Sequence, residues 1–443
     1  MSRHEHGSGR WDDRYEAEAC VTAVARLSTA VKAFCNCPVD PAAEPNDNTC
    51  PVCLGLPGTL PVLNAGAVER AARAALALGA GVQVATGFVR AHHPPTPVQP
   101  KGYVVSQRAR PLATRGVVQI GNTTAGAPIT AAVRAVYLTE DVGRTVHGRF
   151  AGASGLDYNL AGAPLLVVDG APDLRSAAEV RAYVASVAAL LRAADASAAE
   201  LEDGTLSVTL AVAVRKRGDL RAGPACELRG LRSLDDVERA VDAECARQAA
   251  LLEGGGTVEP RTALWDATTG TPTPMRAPGQ AAWELVDPDL PPLLLTAEWI
   301  DARRAELPEL PPARRERLRR EYALDGPALD ALTADAELAA YYETAARLHA
   351  DGPGTARWMT DHVLPLLARE GLAPRGYAVR VRPADLARLL DLRRDGALGD
   401  ADAVRVFGAM ARTGDGVARA AEREGVELDA RTKTGKAGGA GDA

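Results

Sequence analysis

From Leu206 to Val214 the chain alternates strictly. Leu206, Val208, Leu210, Val212 and Val214 stand against Ser207, Thr209, Ala211 and Ala213. A period of two predicts a strand over 205–214 with one face toward a core. Segments 117–120, 131–138 and 163–168 also read as strands. Elsewhere the period lengthens toward 3.6. Asn64 caps a predicted helix running to about Gly79, with Val68, Ala72, Leu76 and Leu78 on its apolar side. Ser176 and Glu179 form a capping-box pattern ahead of Val180, Val184, Val187 and Leu191. Ser233 starts another helix, which ends at Gly254-Gly255-Gly256. After about residue 300 the pattern is helical, over 312–322, 327–350, 353–370, 385–394 and 401–424. Strands and helices do not alternate regularly, which predicts an α+β fold with a largely antiparallel sheet rather than a doubly wound one. Residues 91–100 read as a proline-rich loop and 286–292, VDPDLPP, as a boundary. The expected organisation is a loose lead-in over 1–13, a mixed domain over 14–298, helical parts over 299–375 and 376–428, and a disordered tail over 429–443.

The chain has 443 residues, of which 47% are apolar, so it can bury a substantial core. No run of about 18 apolar residues occurs, so no membrane-spanning helix is expected. MSRHEHGSGRWDD carries no apolar stretch after its charges and does not read as a secretory signal. A net charge of −6 argues against wholesale coating of nucleic acid. No GxGxxG or P-loop appears.

Seven cysteines, an odd number, with no secretory signal point to a reducing, cytoplasmic setting. Cys35 and Cys37, then twelve residues, then Cys50 and Cys53, have the spacing of a four-thiolate Zn²⁺ site. Each pair supplies two ligands from one tight turn. With four ligands the site is closed and structural. A redox dithiol would want a strand-then-helix frame around Cys50 and Cys53, which the pattern lacks. Cys20, Cys226 and Cys245 fall in apolar surroundings and read as core. His92 and His93 read as solvated loop residues without a role.

At Cys50–Asn64, CPVCLGLPGTLPVLN, the sequence resembles the B subunit of tRNA-dependent aspartyl/glutamyl amidotransferases, the GatB/GatE family. Ala43-Glu44-Pro45-Asn46, Pro100-Lys101-Gly102-Tyr103 with Ser106-Gln107, Glu140-Asp141-Val142-Gly143 and Leu156-Asp157-Tyr158-Asn159 continue the likeness. So do Pro172–Ser176, Pro288–Pro292 and Glu306–Pro311, collinearly from about residue 14 to about 427. The resemblance implies a cradle domain related to the glutamine synthetase fold, then a helical domain and a tail domain, here shortened. It implies a protein that holds Glu-tRNA or Asp-tRNA and phosphorylates the side-chain carboxylate with ATP and Mg²⁺. Ammonia from an A-like glutaminase then displaces the phosphate, and a small C-like partner holds the two together. It supports Cys35, Cys37, Cys50 and Cys53 as zinc ligands. Glu140 and Glu227 match family acidic positions, and Lys101, Tyr103, Ser106 and Gln107 keep the family pattern beside the cradle.

The strands of the cradle depart from that pattern. Where the family has charged or metal-binding groups, this chain has Thr22 and Val24, Ala135, Tyr137 and Thr139, Leu160 and Val167, and Ser207, Thr209 and Ala211. Ala281-Ala282-Trp283-Glu284-Leu285 replaces a tyrosine-rich motif, and Ala263-Leu264 replaces paired arginines. Residues two apart on a strand share a face, so the exchanges fall on one coherent surface while the core face stays apolar. Phosphoryl transfer without oxygen ligands for Mg²⁺ has little left to stabilise the moving charge. Two readings follow: a repurposed or degenerate enzyme that still meets aminoacyl-tRNA, or a non-catalytic scaffold for a partner protein or tRNA. Arg314, Arg315, Arg317, Arg319 and Arg320 are either an RNA contact, as the resemblance implies, or a solvated helix face that Glu316 and Glu321 partly neutralise.

Overall fold

The computed structural model describes residues 11–428 except 95, 124–126, 151, 277–282, 334, 373–376 and 379. The lead-in before residue 11, Ala281-Ala282 and the tail 429–443 lie outside the described residues. The chain divides into two compact units, 1–310 and 311–443.

The first unit is α+β. Its strands are β1 (Tyr15–Arg26), β2 (Gly81–Val82), β3 (Ala85–Thr86), β4 (Val89–His92), β5 (Tyr103–Ser106), β6 (Ala113–Asn122), β7 (Pro128–Glu140) and β8 (Arg144–Phe150). They continue with β9 (Ala153–Asp157), β10 (Pro164–Gly170), β11 (Leu206–Lys216), β12 (Cys226–Arg229), β13 (Thr262–Asp266), β14 (Thr271–Met275), β15 (Trp283–Val286) and β16 (Leu293–Leu294). Twelve of these form one sheet in the order β14-β13-β12-β11-β1-β10-β7-β5-β4-β15, with β6 on β7 and β2 on β6. Among the described residues only β12 and β13 pair in parallel. The expected antiparallel character therefore holds.

Along β1 the odd residues from Tyr15 to Ala25 are buried and the even ones from Glu16 to Arg26 are only partly covered. Its antiparallel neighbours carry that period sideways. Thr22 stands opposite Thr209 on one side and Asp169 on the other; Val24 stands opposite Ser207 and Val167. Val167 in turn faces Tyr137, and Leu165 faces Thr139. Helices α1 (Pro51–Leu54), α2 (Ala65–Ala77), α3 (Ala177–Ala193), α4 (Leu234–Glu253) and α5 (Ala297–Ala305) complete the unit. The core joins Val21, Leu166, Val168, Leu210 and Val212 of the sheet to Val184, Leu191, Val237 and Val241 of α3 and α4. Alanines at 17, 19, 23 and 25 leave room for the helices to sit close.

The helix starts follow the sequence. The Asn64 side chain accepts from the Gly66 and Ala67 amides, Ser176 from Glu179, and Ser233 from Asp236. The Glu179 carboxylate reaches back to the Arg175 amide, one residue beyond the usual reciprocal partner, the Ser176 amide. In the second unit the segment expected as one helix over 327–350 is two, Gly326–Thr333 and Ala336–His349, because Asp335 caps a new start. Likewise 401–424 breaks into Asp400–Thr413 and Val417–Arg423 at Gly414, which sits at φ 74°. The expected loop 91–100 begins as the end of β4. Among the described residues no helix is long and apolar enough to cross a membrane.

Leu210→Ala, which empties a fully buried site, is expected to cost about 2–5 kcal/mol. Thr209→Ala on the other face is expected to stay within about 0.5 kcal/mol. Urea unfolding of the two variants checks the assignment of faces.

Candidate active-site face and metal centre

The sheet face away from α3 and α4 carries the residues that the alternation predicted. Row by row it reads Ser207, Val24, Val167, Tyr137, then Thr209, Thr22, Asp169, Ala135, then Glu227, Ala211, Cys20. A bulge at Asp169/Gly170 ends the regular register. Cys20 belongs to this face rather than to the core. It is partly exposed, its thiol donates to the Gly170 carbonyl at 3.2 Å, and the Arg134 guanidinium lies 3.7 Å away. Burial pushes its thiol above the usual value. Cys226 is buried among polar groups, with its sulfur 3.6 Å from Arg247. Cys245 is core, as expected.

The acidic side chains on this face are held by arginines. Glu16 pairs with Arg215; Glu18 lies 3.5 Å from Arg175 and 3.8 Å from Arg215. Asp169 accepts from Arg134 at 2.9 Å, and Glu227 lies 3.4 Å from Arg229. The Arg215 hydrogen bond holds the Glu16 carboxyl below its ordinary range despite desolvation.

Glu140 lies on the other face, with Val136 and Leu138. Its side chain is almost fully buried, ion-paired to the Lys101 ammonium, and it accepts from the Val105 amide at 2.8 Å. Lys101 also sits 5.4 Å from the Tyr103 ring centre and 5.8 Å from that of Phe34. Arg90 covers Tyr103 at 4.7 Å, and burial raises the phenol above its usual value. A cavity of about 10 Å³, room for one water, is lined by Cys53, Lys101, Tyr103, Glu140, Asp141 and Gly162 among others. Glu140 and Glu227 are therefore separated. They stand on β7 and β12, four inter-strand steps or at least about 19 Å apart across the sheet, too far to share an ion. Ser106 accepts from the Arg108 amide, and Gln107 brackets Leu138 through its backbone and its side-chain oxygen. Gln107 thereby fastens the end of β5 to β7, while the Ser106 hydroxyl closes the turn that follows. His92 is no loose loop residue: it stacks on Trp283 with centroids 3.8 Å apart and planes at 11°.

The four predicted thiols do converge. The sulfurs of Cys35, Cys37, Cys50 and Cys53 all lie within 4.8 Å of one another. A tetrahedral ion with metal–sulfur bonds of about 2.3 Å needs sulfurs about 3.8 Å apart, so the set fits such an ion with little adjustment. Cys50 opens α1, and its amide points at the Cys53 sulfur at 3.2 Å. Hydrogen bonding from Cys35, with the Lys32 ammonium nearby, holds the Cys53 thiol down at about 4, whereas burial pushes Cys37 up to about 11.

The motifs around the thiols turn out to be their clamp. Asn159 accepts from the Asn48 amide and donates to the Ala43 and Glu44 carbonyls. Asn46, at φ 70°, accepts from the Tyr158 amide and donates to Leu156. Asp157 is desolvated, yet bonds from Asn159, Arg144 and Asn46 hold its carboxyl below the usual range. Gly55, at φ 70°, lies so close to Lys101 that a side chain there would meet the lysine backbone at 2.9 Å. Lys32, which no motif in the sequence singles out, is fully buried beside Cys53. Its one signal is position: a cation three residues before the first ligand inside an otherwise apolar segment.

Arg315 pairs with Asp330, Arg317 with Glu321 and Glu343, and Arg319 and Arg320 with Glu316; Arg314 reaches the Ala336 carbonyl. These pairs neutralise part of the arginine charge on this helix.

A core of small-faced antiparallel strands under α3 and α4, with a four-cysteine knot at its border, defines the class. The GatB/GatE catalytic domain matches residues 23–301. The chain belongs to the GatB/GatE family. It is 39% identical over 418 residues to the B subunit of the aspartyl/glutamyl-tRNA(Asn/Gln) amidotransferase of Moorella thermoacetica, covering 93% of this chain and 86% of that protein. Proteins of the same description from an Anaeromyxobacter species and from Persephonella marina are 37% and 34% identical, covering 88% and 91% of this chain and 81% and 84% of theirs.

Burial pushes the Asp141 carboxyl up to about 6, against the Val142 amide and Arg26. A raised acid stabilises the fold fully below its unfolded value, near 4, and loses that contribution as pH rises through 6. Asp141→Asn is therefore expected to gain stability over the native chain between pH 4 and 6.5, by at most about 3 kcal/mol. Urea midpoints across that range measure it.

Proposed function

We propose that this chain is a B-type member of a tRNA-dependent amidotransferase whose cradle receives a Glu-tRNA or Asp-tRNA type of aminoacyl end without ATP-dependent activation of its carboxylate. The carrying observation is the self-neutralised open face. Its four carboxylates each sit against an arginine, and the rows between them are neutral. Mg²⁺ needs oxygen ligands free to turn toward it, and phosphoryl transfer depends on that ion and on cations left for the phosphates. Glu16, Glu18, Asp169 and Glu227 are already engaged by Arg215, Arg175, Arg134 and Arg229. Glu140 and Glu227 remain the candidate catalytic carboxylates. Glu140 is committed to Lys101, and Glu227 stands about four strands away. Lys101 and Tyr103, which border the small cavity, are the residues proposed to face an acceptor end. Ser106 and Gln107 serve it indirectly, by holding the end of β5 and the turn that follows. The regions 299–375 and 376–428 would form the helical domain and a tail domain, and A-like and C-like subunits are the partners to seek.

The four-cysteine knot is proposed to hold a structural Zn²⁺ through Cys35, Cys37, Cys50 and Cys53. With every coordination position taken, its part is to fix the loop against the Asp157–Asn159 clamp. The protein should carry one zinc that resists EDTA yet leaves when the thiols are alkylated, and metal loss should loosen the N-terminal part of the sheet domain in hydrogen exchange.

The function is tested with misacylated Glu-tRNA or Asp-tRNA, ATP, Mg²⁺ and ammonium. The expected outcome is no ADP and no amide, with filter binding that prefers charged over uncharged tRNA across a salt series. Turnover that Glu140→Gln abolishes would sink the proposal. Absence of any tRNA preference would leave the scaffold reading, in which the same face docks a protein partner.

A further inference from the structure

Lys32 is wholly buried, and among the described residues no carboxylate lies within ion-pair distance of it. An ammonium has three donors. All three are engaged: the Asn48 carbonyl at 2.7 Å, the Tyr158 carbonyl at 3.3 Å and the Cys53 sulfur at 3.5 Å. A buried cation without a counter-charge costs several kcal/mol. Of its three acceptors, the Cys53 sulfur is the one that can carry the opposite charge. The need runs the other way as well. Four thiolates around a divalent ion carry a net charge of −2, and this knot is partly buried, where an excess charge is poorly solvated.

The packing gives Lys32 little freedom. Gly162, at φ 85°, packs beside Lys32 and Cys53: a Cβ there would stand in ordinary contact, 3.4 Å from Cys53 Cβ, 3.6 Å from Lys32 Cδ and 3.8 Å from Glu140 Oε2. The Lys32 amide donates to the Cys37 carbonyl at 3.0 Å, so its backbone is tied to a second ligand. Its two carbonyl acceptors come from the two sides of the clamp: Asn48 from the loop between the cysteine pairs, and Tyr158 from the segment that holds that loop. One ammonium thus touches the ligand set, the loop and the clamp together.

We infer that Lys32 is the internal counter-cation of the metal knot. It lowers the charge of the tetrathiolate centre from −2 to −1 and couples metal occupancy to the clamp at 156–159. It is a positioning residue, not a ligand. The inference rests on the reading of the four cysteines as a zinc site and goes beyond it by assigning how that site is neutralised. A further consequence follows for the apo protein. Asn48, one of the lysine's acceptors, sits in the loop between the two cysteine pairs, so metal loss that releases this loop should free the lysine as well.

The test uses the full chain in three forms: native, Lys32→Met and Lys32→Arg. Zinc content is measured first, then retention against a chromophoric chelator, then the sulfur-to-metal charge-transfer band after Co²⁺ exchange. The expected result is one zinc in the native chain, at least tenfold weaker retention and a shifted band in Lys32→Met, and substantial recovery of both in Lys32→Arg. Native protein that binds no zinc would overturn the zinc reading and this inference together. Native and Lys32→Met proteins with equal retention and equal bands would overturn the role of Lys32 alone. If Lys32→Met does not fold, the native chain still decides the matter through amine labelling and mass spectrometry. Lys32 should be protected with metal bound and labelled after metal removal, whereas exposed Lys216 is labelled in both. Protection of Lys32 that persists after metal removal would overturn the inference.

Discussion

Everything in the first unit depends on the antiparallel register of β1 between β10 and β11. Because side chains alternate with a period of two, pairing Thr22 with both Thr209 and Asp169 places whole rows of residues on one side. A slip of one residue would send Val21, Leu210 and Val168 to solvent and the polar rows into the core. The apolar face, locked under α3 and α4, fixes the register. The open face inherits its geometry without having to contribute to stability. That division explains how one surface can exchange charged groups for neutral ones while the fold persists.

What the open face kept is informative. Its remaining carboxylates are not lone acids awaiting an ion but members of arginine pairs. Most of these pairs are partly exposed, so each adds little to stability. Their effect is on chemistry, since a cation entering here must first displace a guanidinium. On the opposite face Lys101 already occupies Glu140. Each candidate acid therefore has a resident positive partner.

Much of this was legible in the residues. Strict alternation at 206–214 marked the strand and its faces, the Asn64, Ser176 and Ser233 caps sit where they were expected, and the paired cysteine spacings brought four sulfurs together. The faces of β1 and β7 became readable once the family likeness supplied strand positions. What could not be read were relations between distant residues. Nothing local shows that Glu140 and Glu227 lie four strands apart, or that Cys20 sits beside Arg134 across a bulge. Short strands such as β4 and β5 carry too few residues for a period to emerge, so His92 read as loop. The helix breaks at Asp335 and Gly414 depended on capping chemistry that the apolar pattern runs straight over.

The cysteine knot and its clamp have very different places in the chain. All four thiols lie within residues 35–53, yet Asn46 and Asn48 are secured by residues about 110 positions later. On a ribosome adding 5–20 residues per second, roughly 5–20 s separate the two. During that interval the nascent thiols stand in solution with only Lys32 for company, able to bind a metal but not yet to be sheltered. A metal held by these thiols, as proposed, would therefore be captured early in synthesis and sealed in late.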